Sequence, residues 1–423
     1  AEESVYGHVA RYLQPAFDKE NKSKPNAPFT EELTGAQVKQ IMGRAVRQSE
    51  RYRVMKDNGC SDEEIKRAFH SPVDMTVFTY RGDIDTMMTP LDSIRYYKSF
   101  LRAGFVSMEA RTGHVKAYVG GIDFEHFQYD MVMGGRRQVG STIKPFLYSL
   151  AMENGASPCD KAPNVQKTYM VAGKPWTPRN ANRRRYGQMV TLKWGLAQSN
   201  NWISAYLMSR LNPQQFVSIL HKFGINNPDI YPSMSLCLGP CEVSVGEMVS
   251  AYTTFANNGI RIAPLFVTKI EDNEGNVVAE FQPRMNEVIS SNSAYKMLVE
   301  LMAVVDEGTA GRLRFRYQIP GEIGGKTGTT NRNSDAWFMG FTPQLVSGVW
   351  VGGEDRDIHF DNMQMGQGAT MALPIWAYFM KKIYRDRSLP YDSTEVFDVP
   401  EDFNPCGHDD VDEGENGIDD VYE

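Results

Sequence analysis

Gly325-Lys-Thr-Gly-Thr-Thr330, Ala336-Trp-Phe-Met-Gly-Phe341 and Leu345-Val-Ser-Gly-Val-Trp-Val351 are separated by the short stretches Asn331-Arg-Asn-Ser334 and Thr342-Pro-Gln344, with Asp335 between. Asn, Ser and Pro clusters of that length end strands and turn the chain, so the segment reads as three strands joined by tight turns. Working outward, Phe105-Val-Ser-Met-Glu-Ala110, the turn Arg111-Thr-Gly113 and His114-Val-Lys-Ala-Tyr-Val-Gly120 form a hairpin with a Gly-bearing loop. A mainly helical stretch from Ser141 to about Val305 lies between, broken by one short strand pair near Phe266 to Ala279. Two strands, a helical insert and three strands imply one antiparallel five-stranded sheet flanked by helices, an α/β fold of the α+β type. A last helix, Ala372 to about Tyr384, is placed to cover a face of that sheet.

Toward the N-terminus the periodicity changes. Val5, Val9, Leu13 and Phe17 recur one turn apart, Ile41, Met42, Ala45 and Val46 form a second stripe, and Ser61 with Glu64 makes a capping box. The polar stretch from Lys19 to Pro28 reads as a flexible link between the first two helices. The expected division is a helical accessory segment over 1–90, a main domain over 91–395 and an acidic, disordered tail over 396–423.

The chain has 423 residues, 41% hydrophobic and 23% charged, which suits a soluble globular protein with a sizeable core. Its formal charge is -7, but eight acidic residues follow Cys406, and without them the rest stands at +1. That balance offers no nucleic-acid surface and no polybasic membrane patch. No run of 18 apolar residues occurs and Ala1-Glu2-Glu3 is not a signal sequence, so a mature form or an excised piece is expected. Of the five cysteines, Cys237 and Cys241 are spaced to close a small disulfide over Leu-Gly-Pro or to stand as free thiols in a loop. No second Cys or His pair supports a zinc site.

Three short motifs carry chemistry. Ser141-Thr-Ile-Lys144 follows Gly140 and precedes Pro145, a residue that helices accept in their first turn, so Ser141 belongs at a helix N-terminus. Three-residue spacing puts the Lys144 amine on the same face, within reach of the hydroxyl. A serine becomes a nucleophile when a base takes its proton, and lysine serves as base once burial or another cation lowers its pKa from about 10.4. One or two such spacings are expected by chance in a chain this long. Indeed Ser293-Ala-Tyr-Lys296 is a second one, read as a solvated helix face because no Gly turn precedes it.

Ser199-Asn200-Asn201 stands before an apolar helix and can relay a proton or hold a lysine and a peptide carbonyl; alone, it would be an ordinary helix cap. Lys326-Thr327-Gly328 falls on a strand whose edge can pair with an extended peptide, with Gly328 admitting a ligand backbone and Lys326, Thr327 and Thr329 binding a carboxylate. Alone, it would be a hairpin ending in a surface lysine. The order S-x-x-K, S-x-N, K-T-G is that of penicillin-binding proteins and serine β-lactamases, and the pair at Ser293 fails it because no S-x-N separates it from Lys326.

With Arg137-Gln-Val-Gly-Ser-Thr-Ile-Lys-Pro145, Ala251-Tyr-Thr-Thr-Phe-Ala-Asn-Asn-Gly259, Asp306-Glu-Gly-Thr309 and Asp335-Ala-Trp-Phe338, the chain resembles the transpeptidase domain of class A penicillin-binding proteins over roughly 95–390. The resemblance implies a D,D-transpeptidase that cross-links peptidoglycan stem peptides ending in D-Ala-D-Ala, is acylated by β-lactam antibiotics, and needs no metal or organic cofactor. It implies Ser141 as nucleophile, Lys144 as base beside Lys326, Ser199 as proton relay, Asn201 as the residue orienting Lys144 and the donor peptide, and Thr327 with Thr329 as carboxylate ligands. It further implies an oxyanion hole from the Ser141 and Thr329 N–H groups. The family carries a membrane anchor and a glycosyltransferase domain, neither found in these residues, so no glycan polymerisation is expected of them; the expected location is the periplasmic face of the inner membrane. Alternatives are a serine β-lactamase, for which no E-x-x-x-N follows Ser199 at a comparable place, a non-catalytic β-lactam sensor, and a D,D-carboxypeptidase.

Overall fold

The computed structural model describes residues 1–407. Its centre is an antiparallel sheet of β1 (Arg102–Glu109), β2 (Val115–Val119), β3 (Gly324–Thr329), β4 (Asp335–Phe341) and β5 (Leu345–Gly352), in the order β3-β4-β5-β1-β2. The expected five-stranded sheet is therefore present, and the helical insert between β2 and β3 leaves β3 as one edge. Every residue of β4 and β5 is buried, because both faces of the sheet are covered.

Small residues fit those covers. A Cβ on Gly348 would come within 2.6 Å of Val249 Cγ2, and one on Gly340 within 2.6 Å of the Trp376 ring. Helix α4 (Val245–Ala256) thus presses on one face, and α6 (Leu373–Arg385), close to the expected final helix, on the other. The insert also supplies α2 (Lys144–Glu153), α3 (Asn201–Arg210) and α5 (Ser291–Asp306). The hairpin expected near Phe266 to Ala279 forms between Lys269–Glu271 and Val277–Glu280, along with three-residue strand pairs that the sequence did not announce.

The N-terminal stripe Val5, Val9, Leu13 and Phe17 is fully buried along α1 (Glu2–His8), a wider π turn (Val9–Leu13) and a further helix (Gln14–Asn21). It shares one continuous core with the sheet. The Ser61–Glu64 capping box forms as expected. The first 90 residues are not wholly helical, since Val73–Val77 and Ile84–Met88 pair as a hairpin. Nor is the Lys19 to Pro28 stretch a loose link: Lys24 pairs with Glu20 and Asp361, and the Thr30 N–H just beyond it donates to Asp357 O at 2.9 Å.

Of the two alternatives for Cys237 and Cys241 the free thiols hold, and two further expectations are corrected. Cys159 is joined to Cys406, 247 residues away with Cα atoms 5.3 Å apart, while Cys237 and Cys241 are unjoined. The first part of the acidic tail is held: Phe397 is buried, its N–H donates to Glu322 Oε2 at 2.7 Å, and Phe403 packs edge-on against Tyr295. The acidic residues from Asp409 to Glu423 lie outside the described residues. Finally, Ser293 and Lys296 are not on a solvated face; both have no exposed surface, because they lie on the side of α5 turned into the core, while Tyr295, Val299 and Met302 form its half-buried side.

Candidate active-site groove

Gly140–Ile143 make one 3-10 turn that runs straight into α2, with Pro145 in the helix's first turn, so Ser141 stands at the helix entrance that its sequence context implied. Gly140 has φ +53°, and a Cβ there would sit 2.9 Å from Thr329 O. The turn therefore lies flat on β3 only because residue 140 is glycine. Gly328 answers it from the strand: a Cβ would lie 2.8 Å from Thr142 Cγ2 and 3.0 Å from both Trp337 Cβ and Val139 O. The space expected to admit a ligand backbone at Gly328 is thus taken by the turn that carries Ser141.

The turn is also held from behind. The Tyr252 hydroxyl donates to Thr142 O at 2.7 Å, the Gly140 N–H to Gly239 O at 3.0 Å, and the Val139 N–H to Cys241 O at 3.2 Å. Gly239 has φ +69°, and a Cβ on it would meet Gly140 O at 2.1 Å. Cys237-Leu-Gly-Pro-Cys241, whose role the sequence left open, is the backing of this turn.

Lys144 is fully buried, and its amine donates to Ser199 O at 2.6 Å, Asn201 Oδ1 at 2.6 Å and Ser199 Oγ at 3.4 Å. Lys326, also fully buried, donates to the same Ser199 Oγ at 2.8 Å and to Thr327 O at 3.0 Å. Three segments far apart in the chain thereby meet at one hydroxyl. Burial pulls the Lys144 amine from an ordinary 10.5 down to about 7, with the nearby Cys237 thiol opposing slightly. Burial first, and the Lys144 charge second, hold Lys326 well below its ordinary value. Two ammonium groups facing one oxygen oppose each other's charge, so the amines titrate as a coupled pair.

Ser199 adopts φ +52°, a conformation that costs a non-glycine residue roughly 1 to 3 kcal/mol and turns both its oxygens toward Lys144. Asn200 beside it is the N-cap of α3, accepting from the N–H groups of Trp202 and Ile203. The cap and the lysine-binding roles weighed from sequence coexist on adjacent residues. Asn180, which no sequence motif marked, accepts the Asn201 N–H at 2.6 Å, while Asn201 Nδ2 donates to Arg179 O at 2.6 Å. Ser141 is half-buried, and among the described residues no hydrogen bond joins its Oγ to the Lys144 amine.

Thr330 N–H donates to Asp335 O at 3.1 Å, and ladder bonds alternate along an antiparallel pair. The N–H and C=O groups of Thr327 and Thr329 therefore face away from the sheet, along the free edge of β3. Lys326 Nζ on Thr327 O agrees with that orientation. Thr327 Oγ1 is 2.8 Å from Thr309 Oγ1, and Thr329 Oγ1 accepts from the Gly368 N–H at 3.0 Å. Thr309 was legible only as part of the Asp306-Glu-Gly-Thr309 resemblance. Arg137 and buried Asp335 pair at 2.7 Å and the Trp337 indole donates to Gln138 O at 2.7 Å, fixing the strand before Ser141 onto the sheet.

Residues 103–353 match the family described as the penicillin-binding protein transpeptidase domain, and residues 24–101 the penicillin-binding protein middle domain. Penicillin-binding protein 1A of Aquifex aeolicus is 35% identical over 309 residues, covering 71% of this chain but 41% of that relative, so the chain spans less than half its length. Penicillin-binding protein 1A from Haemophilus influenzae superposes with a TM-score of 0.68 at 22% identity, over 95% of this chain and 66% of that one. The PonA1 protein of Mycobacterium tuberculosis, solved in complex with penicillin V, gives 0.61 at 22% identity, over 87% of this chain and 97% of that one.

Proposed function

Because this chain belongs to the family of penicillin-binding protein transpeptidase domains, we propose that its groove is a serine D,D-transpeptidase that cross-links D-Ala-D-Ala stem peptides and is acylated by β-lactams. The observation that carries this reading is the convergence of the Lys144 amine, Ser199 Oγ and the Lys326 amine in one hydrogen-bonded chain, at 3.4 and 2.8 Å, beside the turn that presents Ser141.

An extended donor peptide adds to the free edge of β3, its terminal carboxylate on the hydroxyls of Thr327 and Thr329 and beside Lys326. Ser141 Oγ attacks the carbonyl carbon of the penultimate D-Ala while Lys144, about half neutral near pH 7, takes its proton. The negative charge moves to the carbonyl oxygen, between the N–H groups of Ser141 and Thr329, each such donor contributing about 3 to 4 kcal/mol. Collapse breaks the C–N bond; Ser199 passes a proton from the lysine pair to the departing D-Ala amine, leaving an ester on Ser141. Asn201 keeps Lys144 aimed. An amine of a second stem peptide then attacks the ester and forms the cross-link, its proton passing through Lys144 to the departing Ser141 Oγ, which is freed. Gly328 contributes by seating the nucleophile turn rather than by touching substrate.

Such chemistry belongs outside the cytoplasm, at the periplasmic face of the inner membrane where stem peptides are found; no helix among the described residues is long and apolar enough to cross a membrane. We assign residues 91–395 to the transpeptidase domain and 1–90 to its accessory segment. Penicillin treatment followed by intact-mass measurement and peptide mapping tests the assignment. One stoichiometric adduct on the Ser141 peptide, absent in Ser141→Ala, is expected; an adduct that persists in that variant removes the nucleophile. Turnover of a D-Ala-D-Ala donor with an amine acceptor separates an enzyme from a sensor, and steady hydrolysis of a chromogenic β-lactam would indicate a β-lactamase.

A further inference from the structure

Away from the groove, between α1 and α6, lies a cavity of about 570 Å³ whose cations are Arg11, Arg312, Arg316, Lys381, Lys382 and Arg385. Its single carboxylate, Glu3, pairs with Lys382. Among the described residues none of the other five cations has a carboxylate within 4.0 Å. A formal charge of +5 is thus concentrated in one concavity of a chain whose net charge is -7. Cations gathered without counter-charge repel one another, and a concave low-dielectric wall focuses their field.

The cavity's structure keeps them together. The buried Tyr317 ring has Arg316 at 5.7 Å and Lys381 at 5.9 Å from its centroid, so one aromatic side chain supports two cations. Arg312 is anchored by Ala369 O at 3.1 Å and Thr370 Oγ1 at 3.0 Å. Independently of charge, Ser4 lines the same cavity, is 2% exposed, and its hydroxyl has no hydrogen-bond partner. A buried hydroxyl left unbonded costs about 1 to 3 kcal/mol, a cost that an acceptor oxygen in the cavity would remove once the Ser4 side chain turns toward it.

We propose that this cavity is a binding site for a soluble anion bearing two or more linked phosphate groups. Several guanidinium forks match phosphate oxygens, the volume is that of a small-molecule site, and one carboxylate would leave most of the charge unmet. The cations converge in a concavity between two helices instead of spreading over a flat face, which favours a free polyanion over a bilayer headgroup.

Titration calorimetry with inorganic pyrophosphate and tripolyphosphate tests it, with vesicles of phosphatidylglycerol as the second arm. Saturable binding is expected, weakening steeply as salt rises and falling by about tenfold in each of Arg316→Gln and Arg385→Gln. Both side chains are exposed, so these variants should keep their fold, and undiminished penicillin acylation would verify it. No saturable binding of either phosphate at about 1 mM, equal binding by the variants, or binding to the vesicles alone would each overturn the proposal.

Discussion

With its amine wholly buried, Lys144 has its pKa lowered to about 7, and in the proposed reaction only its neutral form has a lone pair to take the Ser141 proton. A base whose pKa is lowered to about 7 is inactive below that value and active above it. The rate constant for acylation by penicillin is therefore expected to rise through pH 7 and level off above, with a roughly hundredfold loss two pH units below. A profile flat across that range would detach Lys144 from the proton transfer. Lys144→Arg, which cannot lose its proton, should acylate about 10² to 10⁴ times more slowly. Gly328 makes a second prediction at this scale. Gly328→Ala forces a methyl group against Thr142 and Val139, at about 1 to 3 kcal/mol by urea unfolding, and slows acylation by lifting the nucleophile turn. Gly35→Ala, with nothing within 4 Å of the new methyl, should change neither. The spacing of Ser141 and Lys144 was legible because it is one helical turn. The fit between Gly140 and Gly328 was not, since it depends on two segments whose approach no local pattern encodes.

The elements show where local sequence stops deciding structure. One capping box and two one-turn stripes announced N-terminal helices because those signals act within four residues. Helix α5 misled for the opposite reason: Lys296 and Glu300 suggest a wet face, yet both have no exposed surface. Burial holds the Glu300 carboxyl well above its ordinary range, a shift that a rule placing charges in water does not anticipate. Three-residue strands such as Arg136–Gln138 carry too little alternation to read, and this one is fixed by tertiary bonds instead. Its Arg137 stacks over Trp350 and pairs with Asp335, which also accepts from the Trp350 indole at 3.1 Å. Removing one partner of such a buried pair strands the other, so Asp335→Ala should cost about 3 to 5 kcal/mol in urea unfolding. Arg137→Met combined with Asp335→Leu should cost less than the two single changes together; simple additivity would show that the pair is not coupled.

Across the whole molecule, α1 reaches the groove through one short wall. His8 Nε2 donates to Thr370 O at 2.8 Å, 362 residues away; two residues before Thr370, the Gly368 N–H donates to Thr329 Oγ1 on β3. His8 is 4% exposed and lies stacked on Tyr12. Burial lowers its pKa from 6.5 to about 4, the bond to Thr370 opposes that shift, and the Arg316 charge adds to it. Between those two values the unfolded chain binds a proton that the folded chain refuses. The stability that His8 confers is thus fully present above about pH 6.5 and is lost as pH falls toward 4, a swing of about 3 kcal/mol. Unfolding of the parent chain and of His8→Gln, which keeps a donor for Thr370, should be compared at pH 7 and 4.5. The parent is expected to lose about 2 to 3 kcal/mol more than the variant over that interval. Equal losses would mean that His8 titrates normally in the folded state and that α1 is not held to the wall of the groove by a neutral imidazole.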